Sequence, residues 1–121
     1  MPAGIGWGMG VVDTKTGRHY RWGAASDGWH LLEGEDLSVI QERVPPGDRE
    51  RRHRHARARQ FFYILAGEAT LEIDGREVVV SAGQGIEVPP GAPHQFFNRS
   101  SADVEMLVVS SPRSHGDRVD L

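Results

Sequence analysis

Two histidines one residue apart, His53 and His55, stand in a run otherwise rich in arginine: Arg49, Arg51, Arg52, Arg54, Arg57 and Arg59. On an extended strand, residues two apart point to the same face and lie roughly 6.5–7 Å apart along the chain, so two imidazoles at this spacing can converge on one metal ion. A basic run of this kind also arises as a solvated surface stretch, and His-x-His alone does not separate the two readings. A third histidine does. Pro89-Pro90-Gly91-Ala92-Pro93 forces a turn immediately before His94 and delivers another imidazole at the start of a strand. Between the two sites, Ala56–Arg59 has the length of a hairpin connection, which would return Gln60 beside the histidines at the opening of the next strand. The candidate metal ligands are therefore His53, His55, Gln60 and His94. Gln60 has a second reading, as a polar residue hydrogen-bonded within the barrel wall.

The chain has no cysteine, so disulfides, thiolate metal sites and thiol nucleophiles are excluded, and a metal must take nitrogen and oxygen ligands. Three neutral imidazoles and a neutral amide leave the full charge of one divalent ion on the metal, where a carboxylate would cancel one unit. Such a centre polarises a bound carbonyl and suits non-redox isomerisation, tautomerisation or lyase chemistry. Zinc, manganese, nickel and iron all accept this ligand set, and iron with three histidines also permits a dioxygenase. No Ser/His/Asp order, P-loop or dinucleotide fingerprint offers another mechanism. The base for proton transfer stays open between a water polarised by the ion and a barrel polar group such as Gln41 or Glu42.

The elements that must position these residues read as strands. Gly and Pro recur at short intervals: Pro45-Pro46-Gly47, Gly67, Asp74-Gly75, Gly83, Gly85 and Pro89-Pro90-Gly91. The runs between them are strand-length, and no window shows a helical apolar stripe. Thr70–Asp74 alternates at period two, Asp74-Gly75 is a two-residue hairpin signal, and Arg76–Val80 supplies the return. Further strands are expected at Leu37–Val44, Gln60–Leu65, Ile86–Val88, His94–Phe97 and Val104–Val109. Many short strands predict an all-β sandwich or barrel over residues 29–110. Residues 1–28, with Trp7 and Trp22, would form an N-terminal segment that wraps the barrel or a partner, and residues 111–121 a polar tail. An inward Gln60 puts Phe62 and Ile64 on the inner face and groups Phe96 with His94, which makes Phe62 and Phe96 candidate pocket residues. Arg57 and Arg59, in the connection between ligand strands, are candidates to hold an anionic substrate. Phe61, Tyr63 and Leu65 then face outward and need a cover.

A net charge of −3 gives no bulk attraction to nucleic acid or anionic membranes. No stretch approaches the ~20 apolar residues that span a bilayer, and the first residues have no signal-peptide pattern, so a cytoplasmic protein with a small-molecule substrate or ligand is expected.

The chain resembles the cupin family, whose two motifs are G-x5-H-x-H-x3-4-E-x6-G and G-x5-P-x-G-x2-H-x3-N. Gly47, His53, His55, Gln60 and Gly67 fall at the positions of the first, and Gly83, Pro89, Gly91, His94 and Asn98 match the second throughout. The resemblance implies a double-stranded β-helix, a jelly-roll-like barrel with one divalent transition metal in its mouth, and a homodimer. Gln60 replaces the family's glutamate; among members with glutamine there, the chain is similar to the small uronate tautomerases of pectin degradation. The expected function is that of a metal-dependent isomerase, tautomerase or lyase of a small oxygen-rich, anionic metabolite. Two alternatives stand beside it, a metal-dependent dioxygenase and a non-catalytic cupin that binds or senses a small ligand.

Overall fold

The computed structural model describes residues 10–121, and Trp7 lies outside the described residues. Eleven strands and no helix make up the described chain: β1 (Arg18–Trp22), β2 (Ser26–Glu33), β3 (Ser38–Val44), β4 (His53–His55), β5 (Arg59–Ala66), β6 (Glu68–Ile73), β7 (Arg76–Ser81), β8 (Gly85–Val88), β9 (His94–Phe97), β10 (Val104–Ser111) and β11 (Arg118–Asp120). With no helix present, none is long and apolar enough to cross a membrane.

The strands form two antiparallel sheets, one of six in the order β1-β2-β3-β10-β5-β8 and one of five in the order β11-β4-β9-β6-β7. Burial alternates along β5 and β10, so each sends every second side chain inward. Phe62, Ile64, Met106 and Val108 from the larger sheet meet Ala69, Leu71, Val80 and Phe96 from the smaller in one apolar core. This arrangement is the double-stranded β-helix expected from the two motifs. The β6–β7 hairpin closes on Asp74-Gly75 with φ of 51° and 85°, the two left-handed residues that a tight hairpin turn demands.

The sheets extend past the 29–110 boundary on both sides. β1 and most of β2 form a hairpin that lengthens the larger sheet, while β11, at the end of the tail, pairs with β4. The short, polar sequences of β1 and β11 carry no clean alternation, which is why the strand pattern misses them. The Ala56–Arg59 connection also differs from expectation. It is a crossover between sheets instead of a hairpin, since β4 and β5 belong to different sheets. Gln60 therefore faces the histidines from the opposite wall. The crossover is pinned by the Asp117 carboxylate, which accepts the backbone N–H groups of Arg57 at 2.9 Å and Ala58 at 2.8 Å.

Asp48 anchors the β1–β2 turn to the barrel. Its carboxylate accepts the backbone N–H groups of Ala24 and Ala25 at 3.1 Å each, that of Arg49 at 2.9 Å, and the Ser26 hydroxyl at 2.5 Å. Burial alone would raise its pKa, but these four hydrogen bonds overcome it and bring the carboxyl down to about 2. A depressed carboxyl stabilises the fold fully above its unfolded pKa and loses that contribution as pH falls toward the native value. Asp48→Ala should therefore cost about 2 kcal/mol at pH 7, with the difference from the unsubstituted protein shrinking between about pH 4 and pH 2. Thermal melts across this range check it; a gap independent of pH would contradict the assignment.

Candidate metal centre

The inward pleat of β4 presents His53 and His55, while the exposed Arg54 between them points away. β9 runs antiparallel beside it in a register that sets His94 directly across from His53. The turn before His94 is held in place by Gly91, whose φ of 81° suits a residue without a side chain and whose N–H donates to the His55 carbonyl at 2.7 Å. The three imidazoles converge, with ring centroids 4.3 to 5.8 Å apart and one ring nitrogen from each within 4.8 Å of the others.

Hydrogen bonds fix two of the rings. His53 Nδ1 donates to the Arg51 carbonyl at 2.7 Å and His94 Nδ1 to the Ala92 carbonyl at 3.0 Å, so both rings present an unprotonated Nε2. Gln60 enters from β5; its NH2 donates to the Ser110 hydroxyl at 3.1 Å, which leaves the amide oxygen free. Gln60 Oε1, His94 Nε2 and His55 Nδ1 are buried without a hydrogen-bond partner among the described residues. Gln60 Oε1 and His94 Nε2 are acceptors, and buried acceptors side by side are costly unless something electropositive lies among them. This donor set fits a divalent transition metal, which would bring Lewis-acid polarisation of a bound oxygen when present. Burial, together with the neighbouring imidazoles and the Arg118 guanidinium, holds His53 down to about 3 and His55 to about 4; His94 is lowered by burial too. All three are neutral near pH 7, the state that ligates a metal.

His53, His55, Gln60 and Phe62 line a cavity of about 600 Å³. Of the other residues expected at a pocket, Phe96 is fully buried in the core and forms no part of this wall. Arg57 borders a separate, smaller cavity of about 270 Å³. Arg59 points outward, as its place one residue before the inward Gln60 requires, and pairs with Glu87. The arginines that line the cavity are Arg18, Arg113 and Arg118, the last set opposite His55 by β11.

Three carboxylates also line the cavity; Glu33 pairs with Arg18, while Glu42 and Glu50 have no arginine partner among the described residues. Tyr20 donates to Glu42 Oε2 at 2.9 Å, and the Phe96 N–H donates to Glu50 Oε1 at 3.1 Å. Each side chain keeps some accessible surface, in the cavity, yet protein surrounds both closely. Burial pushes Glu42 up to about 7, against the opposing pull of the Tyr20 hydrogen bond and Arg118. Glu50 rises to about 8 through burial and the Glu42 charge. Gln41, the other candidate base, faces the opposite way and bonds to Glu105 at 3.4 Å. Glu50, Tyr20 and Arg118 carry no sequence signal of their own, because only the folded register gathers them.

Residues 40–110 match the family model for the cupin domain. The chain belongs to the cupin family. It is 31% identical over 85 residues to an oxalate-binding protein of Thermotoga maritima, an alignment that spans 66% of this chain and 70% of that protein. To the polyketide synthase CurC of Streptomyces cyaneus it is 30% identical over 55% of this chain, but this cupin spans only 44% of that relative's length. The crystal structure of the polyketide cyclase RemF from Streptomyces resistomycificus superposes with a TM-score of 0.78 at 20% identity, over 93% of this chain and 85% of that one, a likeness of fold.

Replacing His53 or His94 with Ala should remove most bound divalent metal and leave the barrel folded. Equilibrium dialysis followed by elemental analysis, with circular dichroism on the same samples, checks both halves. Undiminished metal in both variants would rule the cluster out as the binding site.

Proposed function

We propose that this cupin is a metal-dependent isomerase, tautomerase or lyase acting on a small, oxygen-rich, anionic metabolite. His53, His55, His94 and the amide oxygen of Gln60 hold one divalent ion, zinc, manganese, nickel or iron. The observation that carries this reading is the buried, unpartnered acceptors Gln60 Oε1 and His94 Nε2, beside a cavity of small-metabolite size whose wall includes Gln60, His53 and His55. When bound, the ion supplies polarisation of a carbonyl or carboxylate oxygen. The chain's own groups do the rest. Gln60 and the imidazoles are neutral and leave the ion's charge undiminished; Arg118 offers a cation to an anionic substrate; Glu42 and Glu50 offer proton-holding groups. Phe62, Trp22 and Ile40 supply apolar wall that limits water around the reacting atoms.

A second reading, a cupin that binds a small acid without converting it, is favoured by the likeness to the Thermotoga maritima oxalate-binding protein. Protein purified without chelator or affinity-tag histidines separates the readings. The proposal expects about one zinc, manganese or nickel ion per chain, and conversion of at least one compound from a panel of hydroxy, keto and uronic acids without dioxygen uptake. Iron with dioxygen consumption would establish a dioxygenase, and tight binding of an acid with no conversion would establish the ligand-binding reading.

Gln60 gives a sharper test of the ligand set. Gln60→Glu adds a negative charge at the ion, so metal affinity should rise or hold while turnover falls by about tenfold or more, because the ion becomes less electrophilic. Weaker metal binding with a lower melting temperature would place Gln60 in the barrel wall instead.

The outward faces of Phe61, Tyr63 and Leu65 are 38 to 43% exposed along β5. We propose that a second copy of the chain covers this stripe in a cytoplasmic homodimer. Light scattering at micromolar concentration should give twice the mass of the chain, and the mass of one chain would refute it.

A further inference from the structure

Glu50 and the Tyr20–Glu42 pair line the cavity, each carboxyl with one oxygen engaged in a hydrogen bond and the other without one. β1 brings Tyr20, β3 brings Glu42, and the segment leading into β4 brings Glu50. Glu50 is fixed at both ends, because its N–H donates to the Phe96 carbonyl at 3.1 Å while its Oε1 accepts the Phe96 N–H at 3.1 Å. Its carboxyl is thereby held on the strand that begins with His94. Glu42 Oε1 and Glu50 Oε2 accept no hydrogen bond from any described residue, and neither carboxyl has a salt-bridge partner there. The same cavity is lined by Gln60 and His55, at least nine-tenths buried, with the acceptor Gln60 Oε1 and the ring nitrogen His55 Nδ1 unpartnered. A ligand seated against those acceptors would therefore occupy the cavity into which the carboxyls face.

We propose that Glu50, coupled to the Tyr20-bonded Glu42, is the residue that moves substrate protons in this site. The inference rests on the isomerase, tautomerase or lyase reading, and it names the substrate class as small acids with a C–H bond next to a carbonyl. In the step, the Glu50 carboxylate takes that proton, the C–H electron pair becomes a C=C bond, and the carbonyl π pair moves onto oxygen. The enolate oxygen then takes a proton from Glu42 or from Glu50 to give the enol, or Glu50 returns its proton to the carbon that lost it. Nothing is oxidised or reduced, and no co-reactant is needed. Two carboxyls lining one cavity, one protonated and one ionised, supply an acid and a base together near neutrality. Burial of both, and the Glu42 charge felt by Glu50, favour keeping a proton on the pair; Arg118 from β11 opposes this, and Tyr20 on β1 bonds to Glu42. The other ionisable groups lining the cavity are Arg18, His30, Glu33, His53, His55, Arg113 and His115.

The test uses the full zinc-loaded chain in heavy water at neutral pH with small hydroxy-aldehydes, keto acids and uronic acids, reading loss of the C–H proton signal by NMR. The unsubstituted protein should exchange at least one of them. Glu50→Gln, which keeps the acceptor for Phe96, should slow that exchange by about 100-fold or more, with zinc content and melting temperature unchanged. Glu50→Asp should recover part of the rate, and Tyr20→Phe should lose less than Glu50→Gln. Infrared spectra of the unsubstituted protein at neutral pH should show a protonated carboxyl band that Glu50→Gln abolishes. Exchange within twofold in Glu50→Gln, or no protonated carboxyl at neutral pH, overturns the inference and leaves the proposed function standing. Zinc bound with no exchange of any compound overturns both.

Discussion

Lone pairs of imidazole rings packed side by side repel one another, and burial withdraws them from bulk water. This constraint organises the site. His53 and His94 spend their Nδ1 protons on carbonyls two residues back in their own lead-in segments, Arg51 and Ala92, so each ring turns its unprotonated nitrogen toward the other. Gln60 spends its amide protons on Ser110 in the centre of the larger sheet, and its oxygen is left over. Each of these hydrogen bonds satisfies a donor at the edge of the cluster and exposes an acceptor at its middle. A bound cation is the natural complement, and without one the arrangement is a concentration of unsatisfied polar atoms that a barrel wall would not otherwise keep.

The framework serves that constraint from both sheets. β4 and β9 in one sheet set His53 across from His94, while β5 in the other carries Gln60 toward them. Asn98, at the end of the second motif, is structural: its amide donates to the Val44 and Ala102 carbonyls at 2.9 and 2.8 Å, and its oxygen accepts from Ser100. The C-terminal strand β11 closes the edge beside β4 and turns Arg118 toward the cavity. A cationic side chain, a cluster of neutral imidazoles and a pair of carboxyls thus share one space, a division of charge suited to holding an anion while moving a proton.

Much of this was legible in the sequence because it depends on local geometry. The His-x-His spacing obeys strand alternation, the proline-rich turn before His94 obeys backbone stereochemistry, and Asp74-Gly75 obeys the hairpin rule. Strands β9 and β3 fall where alternation and punctuation put them, within a residue. What stayed hidden depends on which sheet a strand joins. Ala56–Arg59 has hairpin length but crosses between sheets, so Arg57 and Arg59 end up away from the cavity. Alternation counted back from Gln60 already turns Arg59 outward. Tyr20, Glu50 and Arg118 come from stretches with no periodic signal, and Arg118 reaches the site only through its register with His55.

The proposed chemistry depends on three imidazoles and one amide oxygen ligating a single ion. X-ray absorption spectroscopy of the zinc-loaded protein tests it most directly. The account predicts a shell of light N/O scatterers near ~2.0–2.1 Å with outer-shell imidazole scattering fitted by three rings, reduced to two in His94→Ala. A shell with one imidazole or none, unchanged in His94→Ala, would contradict it.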